Sequence, residues 1–311
     1  MPAVMTHNTF GHMAAKSLPG NILRTQDEKL AYILGNQGPD PFFFRCRTTP
    51  AKMDIDHTIA SDLHSAQMSK SLDWLRRSVS MLPEEDRGIG RAFALGYLSH
   101  YILDKVTHPF IFAQQYATMA QDEDLKDWGG PIHAIIEADI DSTLVWRTYH
   151  KTILERSPYD AIAFTPRVTK IAGAMMSQVI FATLGIQLPS YEFNSAVCDM
   201  KFIYKMIEPV GSGWYNKVGL VESATGKYSQ VKGLCHEVVH DGRSGWFNEE
   251  HYSWEHPFTH EELNDSFPDL FDEALELCPA ACLAFLQGAD TQTITGHINF
   301  SGEPLDDQES F

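Results

Sequence analysis

Residues 96–109, GYLSHYILDKVTHP, set His100, Asp104 and His108 at i, i+4 and i+8 in a segment whose other positions (Tyr97, Leu98, Tyr101, Ile102, Leu103, Val106) are nearly all apolar. Wound as a helix of 3.6 residues per turn, the segment carries the three polar side chains up one stripe that drifts about 40° per step. A segment this apolar is buried, and buried imidazoles and carboxylates need partners. One such spacing is met equally by an ordinary hydrogen bond in a core. A second segment, PIHAIIEADID, repeats it with His133, Glu137 and Asp141. Two buried helices that each direct His and carboxylate along a stripe point to a multinuclear metal site in a helical protein.

The rest of the chain supplies further ligand types in a helical setting. An N-terminal helix-like stretch holds His7 and His12 and ends near Pro19-Gly20. Thr25 or Asp27 is placed to cap a helix running to Gly35, which GNQGPDP then breaks. Asp40 lies between two prolines there, a well-fixed position that suits either a local cap or a metal ligand. DIDHTIASDLHSAQMSKSLDWLRRSVSML reads as one helix with an apolar face of Ile55, Ile59, Leu63, Met68, Leu72 and Leu75, and His57 and His64 both lie on that face. Pro109 is expected to bend or end the central helix, and Gly129-Gly130-Pro131 to launch the second ligand helix toward His150. Beyond residue 150 the ligand-like density falls, and two amphipathic segments bounded by Pro carry Met and aromatic stripes of the kind that fill a core.

Alternation of period two is almost absent, so the expected class is all-α: a single multi-helix domain over residues 1–311, about nine or ten helices, with a metal cluster in a cleft between them. Residues 1–150 form its ligand-rich part, 151–290 a helical completion and 291–311 an acidic tail. The net charge of 24 − 41 = −17 argues against long nucleic acid as a partner and against docking on anionic lipid by charge alone. No apolar run reaches the length of a membrane span, and MPAVMTHNTFGHMAAK lacks the basic-then-apolar order of a signal peptide. With five scattered cysteines and no CxxC pair, a cytoplasmic location with reduced thiols is the expectation.

A rival motif lies further along. His236-Glu237-Val238-Val239-His240 is HExxH, the spacing at which a zincin protease binds one zinc through two His and activates water with Glu. Gly233 and Gly242 bracket it closely, and Arg243 breaks the extended HExxHxxGxxH form. His236, His240, His251 and His256 are otherwise loop residues or part of a cleft's rim. Trp246, Tyr252 and Trp254 either anchor that loop or contribute to a cationic-headgroup pocket.

Taken in order, THNTFG, GNQGPD, ASDLH, GYLSHYILDKVTHP and HAIIE resemble the zinc-dependent phospholipase C family, whose wider fold also includes the fungal and plant single-strand nucleases. The likeness covers roughly residues 1–150, and SWEHP and the helix after it look like bacterial members. The resemblance implies two or three zinc ions in a cleft between helices. His64, His100 and Asp104 would hold the first, with Asp40 as ligand or general base beside it. His108, His133 and Glu137 would hold the second, and His7 the third, with Asp104 bridging. It implies hydrolysis of a phosphodiester, a phospholipid among the candidates, by zinc-bound hydroxide attacking phosphorus. A nuclease-like phosphodiesterase on the same site and a non-catalytic metal-binding protein are the alternatives. Three departures stand out: Met1-Pro2 replaces the family's N-terminal Trp, His108 follows Asp104 by only four residues, and the C-terminal half does not look like a β-sandwich lipid-binding domain.

Overall fold

The computed structural model describes residues 3–217, 220 and 230–305. The described residues are mainly helical, with twelve α-helices and one two-stranded sheet. The spine is α5 (Arg87–Met119), 33 residues long and so about 50 Å from end to end. Its length is the first departure from expectation. Pro109 lies inside it without ending it, because the proline forfeits one backbone hydrogen bond in a helix whose buried face continues through Phe110 and Ile111.

Several helices pack around the spine. On α2 (Gln26–Gly35), Thr25 and Glu28 form a reciprocal capping box. Its crossing of α5 is tight because Gly35 meets Gly96: a Cβ at either would sit 2.3 Å from the Phe93 carbonyl or 2.1 Å from that of Tyr32. Against another side of the spine lies α6 (Gly129–Tyr149), which His150 ends in the left-handed conformation. Next to both α5 and α6, α1 (Val4–Ala14) is buried over most of its length.

The expected single helix over 54–82 is two, α3 (Pro50–Ser65) and α4 (Met68–Met81), broken where Gln67 adopts φ 65°. The break re-aims the apolar face: Ile55 is 48% exposed, and Asp56 is buried instead. Asp40 opens a 3₁₀ turn, Asp40–Phe44, and the next residue fixes that turn. Arg45 is buried and pairs with Glu192 at 2.7 Å and with Asp199, both on α9 (Tyr191–Ile207). Completing the helical set are α7 (Pro158–Ala161), α8 (Pro166–Leu184), α10 (Gln230–Gly233), α11 (Phe267–Leu286) and α12 (Thr291–Thr295). A capping box of Ser266 and Asp269 starts α11, which packs along α5 and contains Pro279.

The small sheet pairs Trp254–Glu255 with Glu262–Leu263 inside the aromatic loop. Residues 291–302 are not a solvated tail. They run as α12 and then a packed segment in which Asn299, Phe300 and Gly302 are buried, because Phe300 fills a gap between Tyr97 and Tyr101. Among the described residues no helix is long and apolar enough to cross a membrane.

Candidate metal centre

Five helices or turns bring eight side chains together: seven line a cavity of about 340 Å³ or the smaller one that shares His7, Asp104 and His108 with it, and His100 is fully buried among them. From α1 comes His7; from the 3₁₀ turn, Asp40; from the end of α3, His64; from α5, His100, Asp104 and His108; and from α6, His133 and Glu137. Their nitrogen and oxygen atoms fall into three groups, each within 4.8 Å: His7 with His100 and Asp104, Asp40 with His64 and His100, and His108 with His133 and Glu137. All eight sequence-derived residues are therefore assembled. Asp104 groups with His7 and His100, the bridging position expected of it, while His64 groups with Asp40 and His100.

The short distances are donor-to-donor approaches. His7 Nε2 lies 3.0 Å from Asp104 Oδ1, His100 Nε2 3.2 Å from Asp104 Oδ2, and His64 Nε2 2.9 Å from Asp40 Oδ1. On the other side His133 Nε2 and His108 Nε2 stand 3.3 and 3.5 Å from Glu137 Oε1. Atoms that share one tetrahedral zinc at roughly 2.0–2.1 Å lie about 3.3 Å apart. His100 Nε2, His133 Nε2 and Asp40 Oδ2 are buried yet make no hydrogen bond. Such orphaned atoms are costly unless something else satisfies them. Imidazole and carboxylate in this ratio suit zinc, so the residues present fit the ion.

The opposite ring nitrogens are already occupied. Nδ1 of His64 donates to the Ala60 carbonyl at 2.6 Å, that of His100 to Asn36 O at 3.1 Å, that of His108 to Phe300 O at 2.9 Å and that of His133 to Gln115 Oε1 at 2.9 Å. A carbonyl oxygen only accepts, so each Nδ1 carries a proton, and each Nε2 faces a neighbouring carboxylate with a lone pair to offer once it is deprotonated. The turn that supplies Asn36 is shaped for this: Gly38 has φ +51°, and a Cβ there would fall 2.3 Å from His100 Cδ2.

Electrostatics follow from burial among these partners. Burial pushes the Asp104 carboxyl up, but His100, His108 and His7 outweigh it and hold the group well below the usual carboxylate range. Asp40 is likewise lowered, against its burial, by His100 and His64. Burial lowers His133. His108 rises to about 9 despite burial, because Asp104 and Glu137 flank it. Among the described residues the cavity lining contains no Lys or Arg, so Asp40 and Asp104 face only imidazoles as cationic partners there.

The family model for zinc-dependent phospholipase C matches residues 6–181, which contain all eight side chains. The chain belongs to the zinc-dependent phospholipase C family. Membership carries zinc dependence and metal-dependent hydrolysis of phosphodiesters. No curated protein and no solved structure matches the chain.

Other sequence expectations for this phospholipase C family member are corrected. Asp141, third on the α6 stripe, faces away from the three groups. Its carboxylate accepts the Met5 and Thr6 amides at 2.8 and 2.7 Å, so it caps the first turn of α1 from another helix. His236 braces it from behind, with Nε2 3.0 Å from Asp141 Oδ2 and Nδ1 2.5 Å from Glu208 Oε1. That overturns the protease reading. Residues 235–239 are not helical, Glu237 and His240 are exposed, and His236 is spent on two carboxylates, so the motif presents no pair of His one turn apart.

His251 and His256 are also accounted for without metal. His256 Nδ1 accepts the Phe258 and Thr259 amides, and His251 donates to Asn264 O. His57 sits in no metal-binding group among the described residues. Trp254 is an anchor: it is buried, donates to Asp265 O at 3.0 Å and packs on Phe110, while Trp246 packs partly buried beside the core. Tyr252 is 71% exposed and borders a separate cavity. The family's N-terminal ligand position, Met1-Pro2 here, lies outside the described residues.

Sequence reasoning missed Asn36, Gln115 and Phe300. Gln115 had a signal: it falls on the ligand stripe of α5, seven residues past His108, in an otherwise apolar run. Asn36 and Phe300 act through backbone carbonyls, which no residue type announces.

Proposed function

We propose that His64, His100, Asp104, His108, His133, Glu137 and His7 hold two or three zinc ions, that Asp40 is a further ligand or the general base, and that the site hydrolyses a phospholipid-type phosphodiester in the manner of a phospholipase C. The observation that carries this is the set of buried, hydrogen-bond-free donor atoms facing one cavity while their partner nitrogens are held by carbonyls. Zinc in such a site lowers the pKa of a water it binds to about 7 and neutralises charge on phosphoryl oxygens. The chain's own residues do the rest. The four carbonyl-held imidazoles keep their geometry without substrate, which spares reorganisation during reaction. Asp40, with Oδ1 fixed by His64 and Oδ2 unpaired, is placed to take the proton of an attacking water. Phe43 and Phe112 form apolar walls beside the glycerol side, and Ser61, Ser65 and Ser301 offer polar edges for the phosphate or headgroup. The water oxygen bonds to phosphorus, the bond from phosphorus to the glycerol oxygen breaks, the proton taken by Asp40 passes to that oxygen, and diacylglycerol and a phosphorylated headgroup leave.

The test is metal content and turnover measured together on untagged protein purified without chelator. Two or three zinc per chain, diacylglycerol release from phospholipid vesicles, and loss of both in His100→Ala are the expected results. A protein that binds no zinc even after zinc is added back overturns the reading. So does a loaded protein whose phosphodiester turnover is unchanged by His100→Ala.

A further inference from the structure

The stretch that follows α12 contributes to the metal site from outside the part of the chain that carries the family's likeness. The family match ends at residue 181, and every proposed ligand lies before it. Yet Phe300, more than a hundred residues later, touches three of the ligand histidines. Its carbonyl accepts from His108 Nδ1 at 2.9 Å. Its amide donates to the His64 carbonyl at 3.2 Å, which grips the last turn of α3 where that ligand sits. Its ring lies 4.8 Å from the His64 ring and 5.4 Å from that of His100, with Tyr97 and Tyr101 on its far side.

The stretch is itself tied down on both sides. Tyr101, one residue after His100, donates its hydroxyl to Ile298 O at 2.7 Å. Asn299 donates to Ser65 O at 3.3 Å, and its Oδ1 accepts the Ser301 and Glu303 amides at 2.9 and 3.0 Å, so one side chain shapes the turn. Gly302 has φ +79°, and a Cβ there would fall 2.3 Å from Pro109 Cγ and 2.9 Å from the Lys105 carbonyl. Lys105 O is the acceptor that Pro109, lacking an N–H, leaves unused in α5. The turn therefore seats on the one point of the spine where the helix is interrupted, one residue past His108.

We infer that residues 298–302 are a built-in strap that positions the zinc ligands: the Phe300 carbonyl fixes the His108 ring with Nε2 toward Glu137, and the Phe300 backbone and ring hold His64 and His100 in register. The inference rests on the ligand assignment of the proposed function. These are positioning residues, since none offers a donor atom to the ion. A carbonyl behind a ligating imidazole sets its tautomer, its orientation and its basicity, and loss of such a partner typically costs 10–100-fold in metal affinity. His108 has no other hydrogen-bond acceptor at Nδ1 among the described residues; the Asp104 carboxylate stands 3.6 Å away.

The experiment measures zinc affinity by chelator competition, and the electronic spectrum after cobalt substitution, on full-length protein. Gly302→Val pushes the turn off Pro109, and Asn299→Ala is the gentler variant should the first fold poorly. Val179→Ala, a cavity in a distant part of the core, is the control for simple loss of stability. The expected result is at least tenfold weaker binding of one or more zinc ions and an altered cobalt spectrum in both strap variants, with affinity and spectrum unchanged in Val179→Ala. Wild-type affinity and spectrum in folded Gly302→Val or Asn299→Ala overturn the strap and leave the zinc assignment standing. An equal loss in Val179→Ala also overturns it, since general destabilisation would then be the cause. A wild-type protein that binds no zinc overturns both readings, and that measurement comes first.

Discussion

His236 shows how a single buried residue links a misread motif to stability. It lies between Asp141 and Glu208, and these two carboxylates, opposed by burial, lift it to about 10. The folded state thus binds this proton more tightly than the unfolded chain, whose histidine titrates near 6.5. The stabilisation is complete below that value, declines as pH rises and is gone above the folded pKa. His236→Gln is therefore expected to cost about 3–5 kcal/mol at pH 6, the scale of breaking a buried charged pair, and roughly half of that or less by pH 10. Urea unfolding across that range checks it, and a difference that ignores pH counts against a charged His236. At Gly38 the prediction concerns metal: Gly38→Ala forces a Cβ onto His100 at a positive φ. It should destabilise the protein by about 1–3 kcal/mol and lower zinc content, read by mass spectrometry. Five of the proposed ligands, His100, Asp104, His108, His133 and Glu137, were legible because their repeat of His and carboxylate every four residues is local, while His7, Asp40 and His64 came from the family resemblance. What holds them was not, because the Asn36 and Phe300 carbonyls carry no sequence signature and reach the site only through the tertiary fold.

Among the elements, α1 depends on a cap it does not carry. Its own N-cap, Ala3, offers no side chain, and Asp141 of α6 supplies the acceptor for the Met5 and Thr6 amides. Asp141→Asn keeps the shape but removes the charge that faces the helix dipole and His236. A loss of about 1–3 kcal/mol is expected, with faster hydrogen exchange confined at first to the opening turn of α1. Exchange that rises evenly over the molecule would show that Asp141 braces the whole bundle and not this helix. The same position explains why the α6 stripe was only partly readable. His133, Glu137 and Asp141 are equivalent by spacing, and only packing against α1 turns the third away from the cavity. Element boundaries failed for related reasons. Gln67 in the left-handed region splits a helix that periodicity joins, and Pro109 fails to split one because the burial of Phe110 and Ile111 outweighs one lost hydrogen bond. HExxH looked helical by motif, but residues 235–239 take an irregular path that delivers His236 to Asp141.

At the scale of the whole molecule, the cluster concentrates opposing demands. Asp40 and Asp104 are buried at one cavity whose lining, among the described residues, has no Lys or Arg, and they are held ionised by imidazoles that would rather be neutral when buried. A divalent cation resolves this, since it pairs with the carboxylates and accepts neutral imidazole lone pairs. Because the cluster gathers α1, α3, α5, α6 and the turn at Asp40, binding energy there is spread through the fold. Each ion present at a thousandfold over its dissociation constant adds about 4 kcal/mol to the folded state. For a chain of this size each kcal/mol is about 2–4 °C in Tm or somewhat less. Chelation is thus expected to lower Tm by about 10 °C or more, and zinc added back should restore it. Since ligation requires deprotonated donors, the gap between loaded and stripped protein should narrow below about pH 6. Calorimetry with and without chelator at pH 7.5 and pH 5 checks both. A Tm that chelation leaves unchanged at pH 7.5, in protein shown to have lost its zinc, would mean that the cluster is balanced without metal. The ions would then serve chemistry alone and not the fold.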